Sequence, residues 1–133
     1  ELAKAGKYDG VAFHRVMEGF MAQTGDVQFG NVKKFNEGQV GTGGSDKPDI
    51  PAEFNKRKHV RGTCSMARAG NPNSANSQFF IMFDEGHFLN GQYTVVGKAT
   101  DGMDVVDAIK RGEGPNGAVI GQPDAMAKVQ VTE

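Results

Sequence analysis

Arg15 has the strongest chemical claim in this sequence. It stands in Phe13-His14-Arg15-Val16-Met17, with Phe20, Met21 and Gln23 just beyond. On a period-2 strand Phe13, Arg15 and Met17 share one face. A guanidinium aimed the same way as large apolar groups needs a partner or a purpose. The purpose on offer is hydrogen-bond donation from a permanent charge in a fixed fork. The bland alternative is an arginine snorkelling off a wall, and periodicity does not separate the two. A second segment, Arg61 to Phe83, also resists a bland reading. Its middle, Gly70-Asn71-Pro72-Asn73-Ser74-Ala75-Asn76, is dense turn chemistry between two apolar strands. Gln78 sits just ahead of Phe79 and Phe80.

Other candidate chemistry is weaker. Gly41-Thr42-Gly43-Gly44-Ser45 lacks the Gly-Lys-Ser/Thr ending of a phosphate loop and reads as a tight turn. His14, His59 and His87 include no pair at i, i+4, so no metal site is expected. Lys56-Arg57-Lys58-His59, followed by Arg61, reads as a solvated turn. The single cysteine, Cys64, lies inside an expected strand and reads as a structural thiol. One cysteine also excludes an intramolecular disulfide.

The elements that must position these residues are short. The chain has 133 residues, one domain's worth, with 15 basic and 16 acidic side chains and a net charge of −1. That balance argues against a surface built for nucleic acid or an anionic membrane. No stretch approaches the roughly 20 apolar residues of a membrane span. The 19 glycines and 5 prolines favour a turn-rich fold over a helical bundle. Apolar runs fenced by turn residues predict six strands: Val11 to Met17, Phe20 to Gln23, Thr63 to Ala67, Gln78 to Phe83, Tyr93 to Lys98 and Ala125 to Val131. Many short fenced strands suggest a sandwich or barrel. One helix is predicted, capped by Asp101, carrying Val105, Val106 and Ile109 and closed by Gly112. Glu1 to Gly6 reads as a helix tail stopped by Gly6. The polar stretch from Asn31 to Lys58 reads as a functional loop, or one packed over the body.

The two segments around Arg15 and Gln78 together resemble the cyclophilin family of peptidyl-prolyl cis-trans isomerases. The likeness is carried by Phe13-His14-Arg15-Val16, Gly19-Phe20-Met21, Gln23, Gly25-Asp26, Ser65-Met66-Ala67, Asn73-Ser74 and Ser77-Gln78-Phe79-Phe80-Ile81. Leu89-Asn90-Gly91, Thr94-Val95-Val96-Gly97-Lys98 and Gly102-Met103-Asp104-Val105-Val106 extend it nearly to the C-terminus. The resemblance implies a mainly β fold: an eight-stranded closed antiparallel barrel with capping helices, of which six strands are visible here. On that basis residues 1–133 are expected to form a single domain lacking the family's first strands.

By position, Arg15 matches the family's catalytic arginine. Phe20, Met21, Phe80 and Leu89 match its proline pocket, and Gln23 and Gln78 match groups that hold the substrate backbone. Ala67 and Arg68 match the strand edge along which the peptide lies. Phe88 and Tyr93 stand where many eukaryotic members have Trp and His, Arg68 replaces a common Asn, and Met17-Glu18 replaces an apolar residue and Pro. The first three changes resemble bacterial members and imply weak cyclosporin binding. The implied function is cis–trans isomerisation of peptide bonds preceding proline, assisting folding. The alternative is a non-catalytic module of this fold that grips Pro-containing segments. The expected partners are Pro-containing peptides and unfolded or folding polypeptides, not nucleic acid or membrane, met by a monomer without metal or cofactor. The expected compartment is the cytoplasm, with the periplasm kept open because the chain starts at Glu1.

Overall fold

The computed structural model describes residues 1–132. The strands are β1 (Val11–Ala12), β2 (Arg15–Met17), β3 (Met21–Thr24), β4 (Thr63–Met66), β5 (Phe79–Met82), β6 (Val95–Lys98) and β7 (Ala125–Met126). All pairing is antiparallel. One sheet has the order β2-β3-β5-β4-β6, and a second pairs β1 with β7. Mainly β structure is thus observed, with seven strands where the sequence pattern predicts six. The run Val11 to Met17 is two strands. Between them the Phe13 N–H donates to the Asp124 carbonyl, and the His14 carbonyl accepts from Val119. The last run, Ala125 to Val131, is trimmed to two paired residues.

That break corrects the expected face of Phe13. Phe13 is buried with Val16, Ala22, Phe83, Ile109 and Val119 in the main core. Arg15 and Met17 stay together on the opposite face of β2, with the Arg15 Nη2 3.5 Å from the Met17 sulfur. A second apolar cluster forms there from Met21, Phe80, Met82 and Leu89, with Met17, Phe20, Ala67 and Tyr93 against it. The sheet therefore carries two apolar faces, as the period of two allows. One face is the main core and the other is the floor of a candidate site.

Helix α1 runs only from Met103 to Asp107. Gly102 caps it in the left-handed conformation, and Asp101 accepts a bond from the Gly102 N–H instead of capping the turn. Gly112 does not close α1. Its N–H donates to the Val16 carbonyl, which ties the segment to β2. Glu1 to Gly6 forms hydrogen-bonded turns, not a helix, but Gly6 ends them as expected. At φ +74° it lets Lys7 donate to the Leu2 carbonyl and Gly6 to that of Ala3, the paired bonds of a Schellman cap. Met17-Glu18, a departure from the family pattern, has a local reason. Glu18 pairs with Arg111, whose guanidinium lies 4.3 Å from the centroid of the Phe83 ring. Among the described residues no helix is long and apolar enough to cross a membrane.

The stretch from Asn31 to Lys58 holds one 3₁₀ turn, Val32–Lys34, and is otherwise irregular. It is packed over the body by two polar anchors. Asn76 accepts from the Ser45 backbone and hydroxyl and donates to the Lys47 carbonyl and the Asp49 carboxylate. Buried Asp26 accepts from the N–H groups of Gly41, Gly43, Gln28 and Phe29 at 2.7–3.1 Å. A side chain at Gly43 would collide with that carboxylate. The glycines at 41 and 43 thus wrap an anion the chain already carries, which disposes of the phosphate-loop reading.

Candidate active site

Strand register assembles the site. Arg15 on β2 lies opposite Gln23 on β3, Gln23 opposite Phe80 on β5, and Phe80 opposite Ser65 on β4. The neighbouring row is Met17, Met21 and Met82. Side chains directly opposite in a ladder share a face, so a cation, an amide and an aromatic ring stand side by side above a methionine floor.

A cavity of about 100 Å³ opens on this face, bounded by Arg15, Phe20, Met21, Gln23, Ala67, Arg68, Phe80, Leu89 and Tyr93. Every site residue named from the sequence borders it except Gln78 and Phe88. Phe88 is 72% exposed and packs from outside on Phe20, ring centroids 5.5 Å apart. Gln78, two residues before Phe80, borders a second cavity of about 390 Å³, lined mainly by polar side chains and glycines. Gln23, Ala67 and Arg68 also border that cavity, together with residues 41–43.

Arg15 is pinned. Its Nε donates to the Asn116 carbonyl at 2.8 Å and its Nη1 to Gln23 Oε1 at 3.2 Å. Gln23 Nε2 donates to Gln78 Oε1 at 3.0 Å, and Gln78 Nε2 to the carbonyls of Gly41 and Gly43 at 2.9 and 3.0 Å. The guanidinium is thus oriented through a relay that ends in the 41–43 loop. Of its five N–H groups, one on each terminal nitrogen remains for a ligand. No ion pair between Arg15 and a carboxylate occurs among the described residues, so its charge faces the cavity uncompensated.

The pocket walls have their own support. Phe80 meets Tyr93 edge to face at 5.8 Å. On its other side it stacks on the His59 ring at 6.1 Å. His59 is fully buried, which corrects its place in a solvated turn. Its backbone N–H donates to Asn90 Oδ1 at 2.7 Å and its Nδ1 faces the same oxygen at 3.1 Å. Its Nε2 lies 2.8 Å from Ser65 Oγ. No local pattern marks His59, because its partners are 6 and 31 residues away. Arg61, from the same basic run, forms a two-pronged pair with Asp107, which holds that carboxyl below its ordinary range. Cys64 lies half-buried in β4, and desolvation pushes its thiol up.

The wider likeness is consistent. The family model described as cyclophilin type peptidyl-prolyl cis-trans isomerase/CLD matches residues 1–131. A probable peptidyl-prolyl cis-trans isomerase of Brucella abortus is 65% identical over 133 residues, covering 98% of this chain and 67% of that protein. The crystal structure of a cyclophilin from Hirschia baltica has a TM-score of 0.74 at 26% identity, over 96% of this chain and 61% of that one. A cyclophilin-type isomerase of Cryptosporidium parvum, crystallised in the presence of the dipeptide Ala-Pro, gives 0.78 at 26% identity, over 99% and 80%. The family model across residues 1–131 and the 65% identity to the Brucella relative, with the fold shared with these solved structures, place this chain in the cyclophilin-type peptidyl-prolyl cis-trans isomerase family.

Proposed function

We propose that the protein catalyses cis–trans isomerisation of peptide bonds preceding proline in polypeptides, assisting their folding, and that Arg15 supplies the transition-state stabilisation. One observation carries this reading: the ladder sets Arg15 beside Gln23 and Phe80 on the rim of a small apolar cavity, with N–H groups to spare. The uncatalysed rotation faces a barrier of about 18–20 kcal/mol because the nitrogen lone pair is delocalised into the carbonyl. In the twisted state the nitrogen pyramidalises and the lone pair becomes an acceptor. A guanidinium N–H bond to it is worth more there than in the planar ground state, which is the condition for catalysis. No bond is made or broken, so the reaction needs no nucleophile, proton shuttle, metal or cofactor.

The proline ring sits in the cavity against Phe20, Met21, Phe80 and Leu89, whose apolar walls suit a ring without demanding a particular neighbour. Gln23 and Gln78 hold backbone groups of the peptide, which runs along Ala67 and Arg68. The acceptors are Pro-containing peptides and folding polypeptides, met by a monomer. The Ala-Pro dipeptide used with the Cryptosporidium relative supports that choice of ligand. Exchange spectroscopy on an Ala-Pro peptide tests the reading: catalytic amounts of protein should accelerate cis–trans exchange. Binding without acceleration would leave a gripping module instead, and neither binding nor acceleration would remove the function.

A further inference from the structure

Arg68 stands where the apolar cavity meets the polar one, and it borders both. Its guanidinium is fixed. Nε and Nη2 donate to the Gln92 carbonyl at 3.0 and 2.8 Å, and Nη1 donates to the carbonyls of Ala69 and Gly70 at 2.9 and 3.1 Å. The Tyr93 ring lies beneath it, 4.7 Å from centroid to Cζ. All four bonds go to neutral carbonyls, three in number. One of the five N–H groups is left over, and no ion pair between Arg68 and a carboxylate occurs among the described residues.

The wall of the polar cavity adds nothing to cancel this charge. Among the described residues, Arg68 is the only charged one that lines it. Two carboxylates lie behind the wall, and both are engaged. Asp26 is buried under the N–H groups of Gly41 and Gly43, and Asp49 accepts from Asn76. A cation held still by carbonyls and a ring pays little conformational entropy when an anion arrives. Gln23, Ala67 and Arg68 border both cavities, so a chain seated with its proline in the first and continuing into the second passes beside this guanidinium.

We propose that Arg68 is a specificity-determining residue, making the site select Pro-containing segments that carry Asp or Glu within two residues of the proline. The carboxylate lies at the mouth of the polar cavity against the free Nη2 N–H. This inference rests on the isomerase reading above and names its substrate class.

The test uses peptide pairs that differ only in Glu or Gln, placed two residues before or two residues after the proline. Turnover is read by exchange spectroscopy and affinity by titration. At one of the two positions the protein should favour Glu over Gln by about three- to tenfold at low salt, in Kd and in kcat/KM, as befits a half-exposed charged pair. The preference should shrink as salt rises. In Arg68→Gln the Glu/Gln ratio should collapse to about one, and in Arg68→Glu it should invert, whatever the absolute rates. Lys98→Gln, the same change of net charge away from both cavities, should keep the ratio. A ratio near one in the unmodified protein at both positions, or one that survives Arg68→Gln, overturns the inference. Because affinity is read separately, a retained Glu preference without any turnover would count against the isomerase reading and not against Arg68.

Discussion

Arg15→Ala is the perturbation with the most to say about mechanism. Three of the five N–H groups are committed, to Asn116 O, Gln23 Oε1 and the Met17 sulfur. The two that remain are those the twisted amide nitrogen can use. A charge-assisted hydrogen bond is worth about 1.5–3 kcal/mol, so at 1.36 kcal/mol per power of ten its loss should lower kcat/KM by about 10- to 150-fold. Peptide affinity should fall much less, because Phe20, Met21, Phe80 and Leu89 are untouched. Arg15→Lys sharpens the argument. Arg15 reaches the Asn116 carbonyl and Gln23 from two different nitrogens of a planar fork, a span that one compact ammonium does not reproduce, so Lys should recover only part of the lost rate. The assay is exchange spectroscopy on an Ala-Pro peptide, with affinity measured in parallel and folding checked by circular dichroism. A folded Arg15→Ala protein that binds peptide and still turns over at the unmodified rate would refute the role and return Arg15 to a snorkelling surface cation.

Further outcomes follow from the residues around it. Gln78→Ala cuts the relay from Arg15 to the 41–43 loop, and at about 0.5–1.5 kcal/mol per hydrogen bond it should lower kcat/KM by about three- to tenfold; an unchanged kcat/KM would mean that the relay does not set the Arg15 geometry. His59→Ala removes one of the partners of Ser65 Oγ and of Asn90 Oδ1 and the ring stacked on Phe80, so urea melts should show a loss of about 1–3 kcal/mol; a loss confined to a few tenths would mean the buried network contributes little. His14 is 6% exposed, neither ring nitrogen has a hydrogen-bond partner among the described residues, and burial lowers its pKa from 6.5. Burial makes the folded protein resist this protonation, so the unfolded chain takes up the proton first, and stability present above pH 6.5 should drain away as pH falls below it, by up to about 1.4 kcal/mol per pH unit. His14→Leu should flatten that part of the acid slope between pH 7.5 and 5.5, and melts showing the same slope in both proteins would clear His14 of it.

How much of this was legible in the sequence depends on the range of the signal. Strand alternation is local, so four of the six expected strands recur within a residue or two, and so do the turn at Gly6 and the packed loop from 31 to 58. What local pattern does not carry is the break at His14 or the burial of His59. The first is imposed by bonds from Asp124 and Val119, over a hundred residues along the chain, and the second by Asn90 and Ser65. Motif resemblance supplied the list of site residues without their geometry. Register supplies the geometry, and a register between strands is a global property that no single strand encodes. Slide β2 by one residue against β3 and Arg15 would stand opposite Ala22, whose side chain belongs to the main core, instead of Gln23. The guanidinium would lose the amide that orients it, and Met17 would leave the cluster of Met21, Phe80, Met82 and Leu89. The pairing of Arg15 with Gln23 and of Gln23 with Phe80 is therefore what turns two separate sequence motifs into one site.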